Sequence, residues 1–160
     1  MILFYILSGM TLAWLAWGAY YQLFFAIAGT KYREKEMTHA KKQRKIAVFI
    51  PAYREDAVIL STAESALAGN YPPEKYEVIV IADHLKPETL RSLKALPITV
   101  IPVAFVKSSK SRALNHALAY LRQWERQDFD LAVVLDADNV MAPDFLEIVK
   151  QKSASGYWAI

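Results

Sequence analysis

Leu131-Ala-Val-Val-Leu-Asp136-Ala137-Asp138-Asn139 places an unbroken apolar run directly before two acids spaced i, i+2. A short run of β-branched and apolar residues bounded by polar ones reads as a buried strand of a parallel sheet. Both acids then fall at the strand's C-terminal end, where open α/β sheets take their ligands. Magnesium and manganese ions prefer oxygen donors, commonly one or two carboxylates completed by phosphate oxygens and water. The strand end therefore has the chemistry to hold a divalent ion beside a phosphorylated ligand. Two acids after a strand are also consistent with the start of a solvated loop, and the neighbouring segments decide between the readings.

Those segments alternate strand and helix. Residues 46–50, Ile-Ala-Val-Phe-Ile, read as a first strand, and residues 56–68 as a helix with Val58, Ile59, Thr62, Ala63 and Ala66 at helical spacing. Gly69 and Pro72-Pro73 stop it. Residues 77–81 form a second strand, 86–95 a short helix, and 98–103 a third strand whose Pro102 suits an edge or a strand end. A helix is predicted from Ser108-Ser109, both good N-caps, with Leu114, Ala117, Leu118 and Leu121 on one face. Residues 131–135 make the fourth strand, and Pro143 is placed in the first turn of a last helix. The fold class is thus α/β, Rossmann-like, with a mostly parallel sheet and right-handed crossovers. No Gly-x-Gly-x-x-Gly follows the first strand and no Gly-x4-Gly-Lys-Ser/Thr occurs, so neither a dinucleotide oxidoreductase nor a P-loop NTPase is supported.

The apolar fraction of 54% is concentrated at the N-terminus. Residues 1–29 contain no Asp, Glu, Lys, Arg or His, and about 20 apolar residues suffice to cross a bilayer. Residues 1–30 are therefore expected to form one transmembrane helix. A cleaved signal peptide fits less well, because the segment opens without positive charge and its apolar run exceeds the usual length. Residues 31–45 hold Lys31, Arg33, Lys35, Lys41, Lys42, Arg44 and Lys45 against Glu34 and Glu36. Basic residues flanking a span stay on the cytoplasmic side. This predicts a single-pass protein of the cell membrane with a basic cytoplasmic linker and a cytoplasmic domain over 46–160. Because the whole chain carries only +3, that domain is slightly acidic and is not a basic nucleic-acid-binding module. The absence of cysteine excludes disulfides, thiolate metal sites and cysteine nucleophiles.

Each strand end carries polar residues: Pro51-Ala52-Tyr53-Arg54-Glu55, then Asp83-His84, Lys107 to Arg112 before the helix, and finally Asp136 and Asp138. In a parallel sheet these ends converge on one edge. Phe49-Ile-Pro-Ala-Tyr-Arg-Glu55, the Val-Ile-Val-Ile-Ala-Asp83 strand, Lys110-Ser-Arg-Ala-Leu-Asn115 and Asp136-Ala-Asp-Asn139, in this order, resemble the nucleotide-binding half of family 2 glycosyltransferases. These are inverting enzymes of GT-A fold, among them membrane-bound sugar polymerases. The resemblance covers residues 46 to about 150.

The resemblance implies a donor site for a UDP- or GDP-linked sugar, a lipid or glycan acceptor, and Mg²⁺ or Mn²⁺ as cofactor. It implies that the segment Pro51, Ala52, Tyr53 and Glu55 cradles the nucleotide and that Asp83 contacts the base. Where relatives often carry two adjacent acids, this chain has Ala82-Asp83-His84, which leaves uridine versus guanosine open. Asp136 and Asp138 match the Asp-x-Asp signature, the first near the ribose and the second on the metal, and Lys110 matches a basic position near the donor. Arg112 is a further candidate for positive charge beside the diphosphate. Read from the residues alone, Lys110 and Arg112 are equally consistent with solvated charges at a helix start, Tyr53 with packing, and Glu55 with favouring a helix N-terminus. His84 and His116 lack the spacing of a zinc site.

In relatives the catalytic base and the acceptor-binding half lie downstream, so residues 46–160 are expected to be the donor-binding part, truncated at its C-terminus. A strand ending in Asp-x-Asp also resembles haloacid-dehalogenase-type phosphohydrolases, but the 22 residues after Asp138 leave no room for that family's later motifs. A membrane-tethered nucleotide-sugar-binding subunit without activity of its own is the second reading.

Overall fold

The computed structural model describes residues 1–30, 42–123 and 128–156. The chain forms two compact units, one containing the N-terminal helix and the other all remaining elements. The N-terminal helix α1 spans Ile2–Thr30 and buries no residue. It is long and apolar enough to cross a membrane. Two of its hydroxyls bond within the helix, Thr11 donating to the Leu7 carbonyl at 2.9 Å and Thr30 to the Ile27 carbonyl at 2.7 Å. Of the basic linker, Lys31, Arg33, Lys35 and Lys41 lie outside the described residues.

The second unit runs β1 (Ile46–Tyr53), α2 (Ile59–Leu67), β2 (Tyr76–Asp83), α3 (Pro87–Lys94), β3 (Thr99–Val103), α4 (Lys110–Gln123), β4 (Leu131–Val134) and α5 (Phe145–Ala154), with a 3₁₀ turn at Pro73–Lys75. The four strands form one sheet in the order β3-β2-β1-β4, and every pairing is parallel. Apolar residues on both faces of the central strands dictate the layering. Ile46, Val48, Ile50, Val78 and Val80 point to one face and pack with Ile59, Ala63, Leu93, Leu146 and Val149 of α2, α3 and α5. Ala47, Phe49, Ile79 and Ile81 point to the other and pack with Ala113, Ala117 and Leu121 of α4. Strand order advances from β1 to β3 and then returns to the far side of β1. A right-handed crossover in the reverse direction sends its helix to the opposite face, which is why α4 alone occupies that layer.

Several boundaries differ from the periodicity. Helix α2 begins at Ile59 rather than at residue 56. The Asp56 carboxylate instead accepts the Lys86 N–H at 2.8 Å and the Thr89 hydroxyl at 2.6 Å, so it caps α3, while the Glu55 carbonyl turns the chain by accepting the Val58 and Ile59 N–H groups. Pro143 precedes α5 instead of opening it; its carbonyl accepts the Asn70 N–H at 2.7 Å, and Asp144 stands at the N-cap. On α4 the covered stripe is Ala113, Ala117 and Leu121, whereas Leu118 is exposed. Strand β4 ends one residue early, at Val134. Pro102 does sit on an edge strand.

Ile79 is fully buried in the middle of the sheet, whereas Val134 on the edge strand is 47% exposed. Ile79→Ala is expected to lower the unfolding free energy by about 2–5 kcal/mol through lost burial and a cavity, and Val134→Thr to change it by less than about 0.5 kcal/mol. Urea denaturation of the solubilised chain, followed by circular dichroism, measures both.

Candidate functional site

The sheet opens where its strand order reverses, between β1 and β4. The β1–β4 ladder closes at Phe49↔Val134, with one further bond from the Leu135 N–H to the Phe49 carbonyl at 2.9 Å. Pro51 follows two residues on and faces the same side, where it has no N–H to offer. On its other side β1 continues against β2 as far as Tyr53↔Asp83. The two strands flanking the switch point thus separate, and a cleft of about 350 Å³ lies at their C-terminal ends.

The cleft draws on all the segments expected to converge. Pro51, Ala52, Tyr53 and Glu55 come from the end of β1, Asp83 from β2, Lys110 from the start of α4, and Asp136 and Asp138 from the end of β4. Arg112 is not among the lining residues. Its guanidinium donates to the Lys107 carbonyl at 2.9 Å and lies 5.9 Å from the centre of the Phe105 ring, an arrangement that shapes the loop before α4. Ser109 caps that helix, its hydroxyl accepting the Arg112 N–H at 3.2 Å.

Asp83 is the buried anchor of the site, only 3% exposed. Burial works to raise its pKa, but hydrogen bonds from the Ser108 hydroxyl, His84 and the Phe105 N–H outweigh it and hold the carboxyl below its ordinary value. The His84 Nδ1 lies 2.6 Å and the Phe105 nitrogen 3.2 Å from Oδ1. Sequence reasoning missed Ser108 as a partner of this acid, because nothing in its own segment points 25 residues back. The residues after β1 and β2, Arg54 and His84, both adopt positive φ, 57° and 56°, a conformation that costs an L-residue roughly 1–2 kcal/mol. Backbone bonds from Arg54 N–H to the Asp83 carbonyl at 3.0 Å and from His84 N–H to the Val103 carbonyl at 3.3 Å hold these kinks. Tyr53 lies between their side chains, edge-on to His84 with centroids 5.9 Å apart and 5.2 Å from the Arg54 guanidinium carbon.

Opposite this wall, Asp136 forms an ion pair with Lys110, both side chains about half exposed. Asp138 is exposed. Four carboxylates of the lining face a single ammonium, so the cleft favours cations. Among the described residues no group of three or more acidic or histidine side chains could cage a metal ion. Asp136 and Asp138 could offer two carboxylates from one loop, which fits a hard ion that takes one or two carboxylates and completes its shell with phosphate oxygens and water.

The fold and cleft define a class, the α/β domains that take a ligand at a topological switch point. Residues 43–155 match the family described as Glycosyltransferase like family 2, and the chain belongs to that family. Over 106 residues it is 30% identical to the cellulose synthase catalytic subunit (UDP-forming) of Komagataeibacter sucrofermentans, covering 64% of this chain and 13% of that protein. Among solved structures, the mannosyltransferase PcManGT of Pyrobaculum calidifontis, in complex with GDP-Man and Mn²⁺, superposes with a TM-score of 0.64 at 22% identity, over 84% of this chain and 40% of that one. TarS 1-349 of S. aureus in complex with UDP-GlcNAc gives 0.54 at 20% identity, over 66% and 30%. Glucosyl-3-phosphoglycerate synthase of Mycobacterium tuberculosis, with Mn²⁺, UDP and phosphoglyceric acid, gives 0.51 at 22% identity, over 72% and 43%. The second unit is thus a GT-A-like domain, and the chain spans less than half the length of these relatives.

The depressed Asp83 and Asp56 carboxyls set an acid limit on stability. Below the unfolded carboxylate pKa of about 3.9, the unfolded chain binds protons that the folded chain refuses. Their stabilisation is therefore complete above that value and lost as pH falls through the lower folded values. The contribution of these two acids to the melting temperature should be level from pH 7 to about pH 5 and fall away below about pH 4, with a shallower fall in Asp83→Asn and a residual fall contributed by Asp56.

Proposed function

We propose that this chain binds the nucleotide-diphosphate sugar of an inverting, metal-assisted hexosyl transfer, with the donor seated in the switch-point cleft. The observation that carries this reading is the convergence of Asp83, Lys110, Asp136 and Asp138 on one cleft beside the β1 end. The complexes named above, with GDP-Man and Mn²⁺ and with UDP and Mn²⁺, support a nucleotide sugar as ligand and leave the choice of base to experiment.

Each residue then has a task. Pro51, Ala52, Tyr53 and Glu55 cradle the nucleoside, and the ionised Asp83 accepts an N–H from the base. Asp136 turns toward the ribose and Asp138 holds Mg²⁺ or Mn²⁺. When bound, the ion supplies Lewis-acid stabilisation of the charge that gathers on the departing diphosphate. Lys110, released from Asp136, brings its ammonium to the same oxygens, where fixed positive charge is most effective in a site shielded from water. The acceptor is a lipid or a growing glycan, delivered at the membrane face; α1 spans the cell membrane and residues 46–160 lie on its cytoplasmic side, with the basic linker at the inner leaflet. The domain boundaries that follow are 1–30, 31–45 and 46–160.

Calorimetric titration of the detergent-solubilised chain with UDP and with GDP, with and without Mn²⁺, tests this. One nucleotide should bind in a Mn²⁺-dependent manner. Asp138→Ala, shown by circular dichroism to be folded, should lose the Mn²⁺ dependence, and Lys110→Ala should weaken binding by about tenfold, or about 1.4 kcal/mol. A folded wild-type chain that binds neither nucleotide overturns the reading.

A further inference from the structure

Helix α2 turns two hydroxyl side chains toward the loop that carries the acid pair. Thr62 is 2% exposed, and its hydroxyl donates to the carbonyl of Ala137 at 2.6 Å, the residue between Asp136 and Asp138. One turn further on, the Ser65 hydroxyl accepts the Met141 N–H at 3.2 Å and donates to the Thr62 carbonyl at 2.8 Å. The loop between β4 and α5 is neither strand nor helix, and its own bond from the Asn139 N–H to the Asp136 carbonyl, 3.0 Å, closes only one turn. The two α2 hydroxyls bracket that turn.

A threonine within a helix commonly bonds the carbonyl four residues back. Thr62 has that option, the Val58 carbonyl at 3.2 Å, yet makes the shorter contact to Ala137. Ala137 is 6% exposed, so its carbonyl would lose its partner in a place water hardly reaches, an arrangement folded proteins avoid. The same helix is tied to the opposite wall of the cleft, since its first N–H groups bond the Glu55 carbonyl at 3.0 and 3.2 Å. Helix α2 therefore connects the β1 end with the acid pair across the switch point.

We infer that Thr62 is a positioning residue for the metal-holding acid: its bond to the Ala137 carbonyl fixes the backbone between Asp136 and Asp138 and so the direction in which the Asp138 side chain leaves the loop. The inference rests on the donor-site reading above and deepens it. Groups that orient metal ligands without touching the metal typically change metal affinity by about 10–100-fold when lost, because a carboxylate on a loosened loop must be ordered at the moment of binding.

Thr62→Val replaces the hydroxyl by a methyl of similar size, Thr62→Ser keeps the hydroxyl, and Ile59→Val trims the same helix without touching the loop. The Mn²⁺ concentration that half-saturates UDP or GDP binding to the solubilised full chain, titrated at fixed nucleotide, is the measurement, beside the melting temperature of each variant. Thr62→Val should raise that Mn²⁺ concentration by about 10–100-fold, Thr62→Ser should restore it, and Ile59→Val should lower the melting temperature while leaving the Mn²⁺ affinity unchanged. Wild-type affinity in Thr62→Val, or a loss in Ile59→Val as large as that in Thr62→Val, overturns the inference and reduces Thr62 to a packing role. Absence of Mn²⁺-supported binding in the wild type overturns the donor-site reading and this inference together.

Discussion

Everything at the site depends on where the β1–β4 ladder stops. Up to Phe49 the central strand is bonded on both sides, and from Pro51 onward it is bonded only to β2. A proline in a central strand is normally excluded because it removes a ladder bond. Here the missing bond falls at the reversal of strand order, where the sheet must part in any case, and the cost becomes a cleft. The residues that follow each strand then meet there because parallel strands all end on the same edge.

Two kinds of wall face each other across that opening. One is rigid: Asp83 is buried and held by several donors, and the chain beside it is kinked through Arg54 and His84. The other is half exposed and carries the Lys110–Asp136 pair with Asp138 beside it. An exposed ion pair contributes little to stability, so Asp136 and Lys110 can part at small cost to the fold. Helix α2 reaches both walls, bonding the Glu55 carbonyl at its start and the Ala137 carbonyl from its interior.

The alternation of apolar runs with amphipathic segments made the four strands and their helices legible in the sequence, and with them the edge on which the polar residues gather. What escaped is everything decided by contacts between distant segments. Asp56 looked like the start of α2 but caps α3, 33 residues away. Leu118 fits the apolar stripe of α4, yet the small residues Ala113 and Ala117 are what let that helix lie close to the sheet, and Leu118 faces outward. Arg112 shares a segment with Lys110 but turns back to Lys107 and Phe105. Thr62 carried only the signal of a helix core position, because its partner lies 75 residues downstream. Periodicity reports which face of an element is covered; it does not report which polar atom a side chain meets.

On the proposed function, a nucleoside diphosphate and a divalent ion meet in the cleft between β1 and β4. Alanine-methyl NMR of the solubilised chain reads this directly, since Ala52, Ala113 and Ala137 line the cleft while Ala47 and Ala132 pair near the start of β1 and β4, at the opposite end of the sheet. With UDP or GDP present, substoichiometric Mn²⁺ should broaden Ala137 first, then Ala52 and Ala113, and affect Ala47 and Ala132 least. Broadening that is uniform, or that centres away from Ala137, would contradict the account.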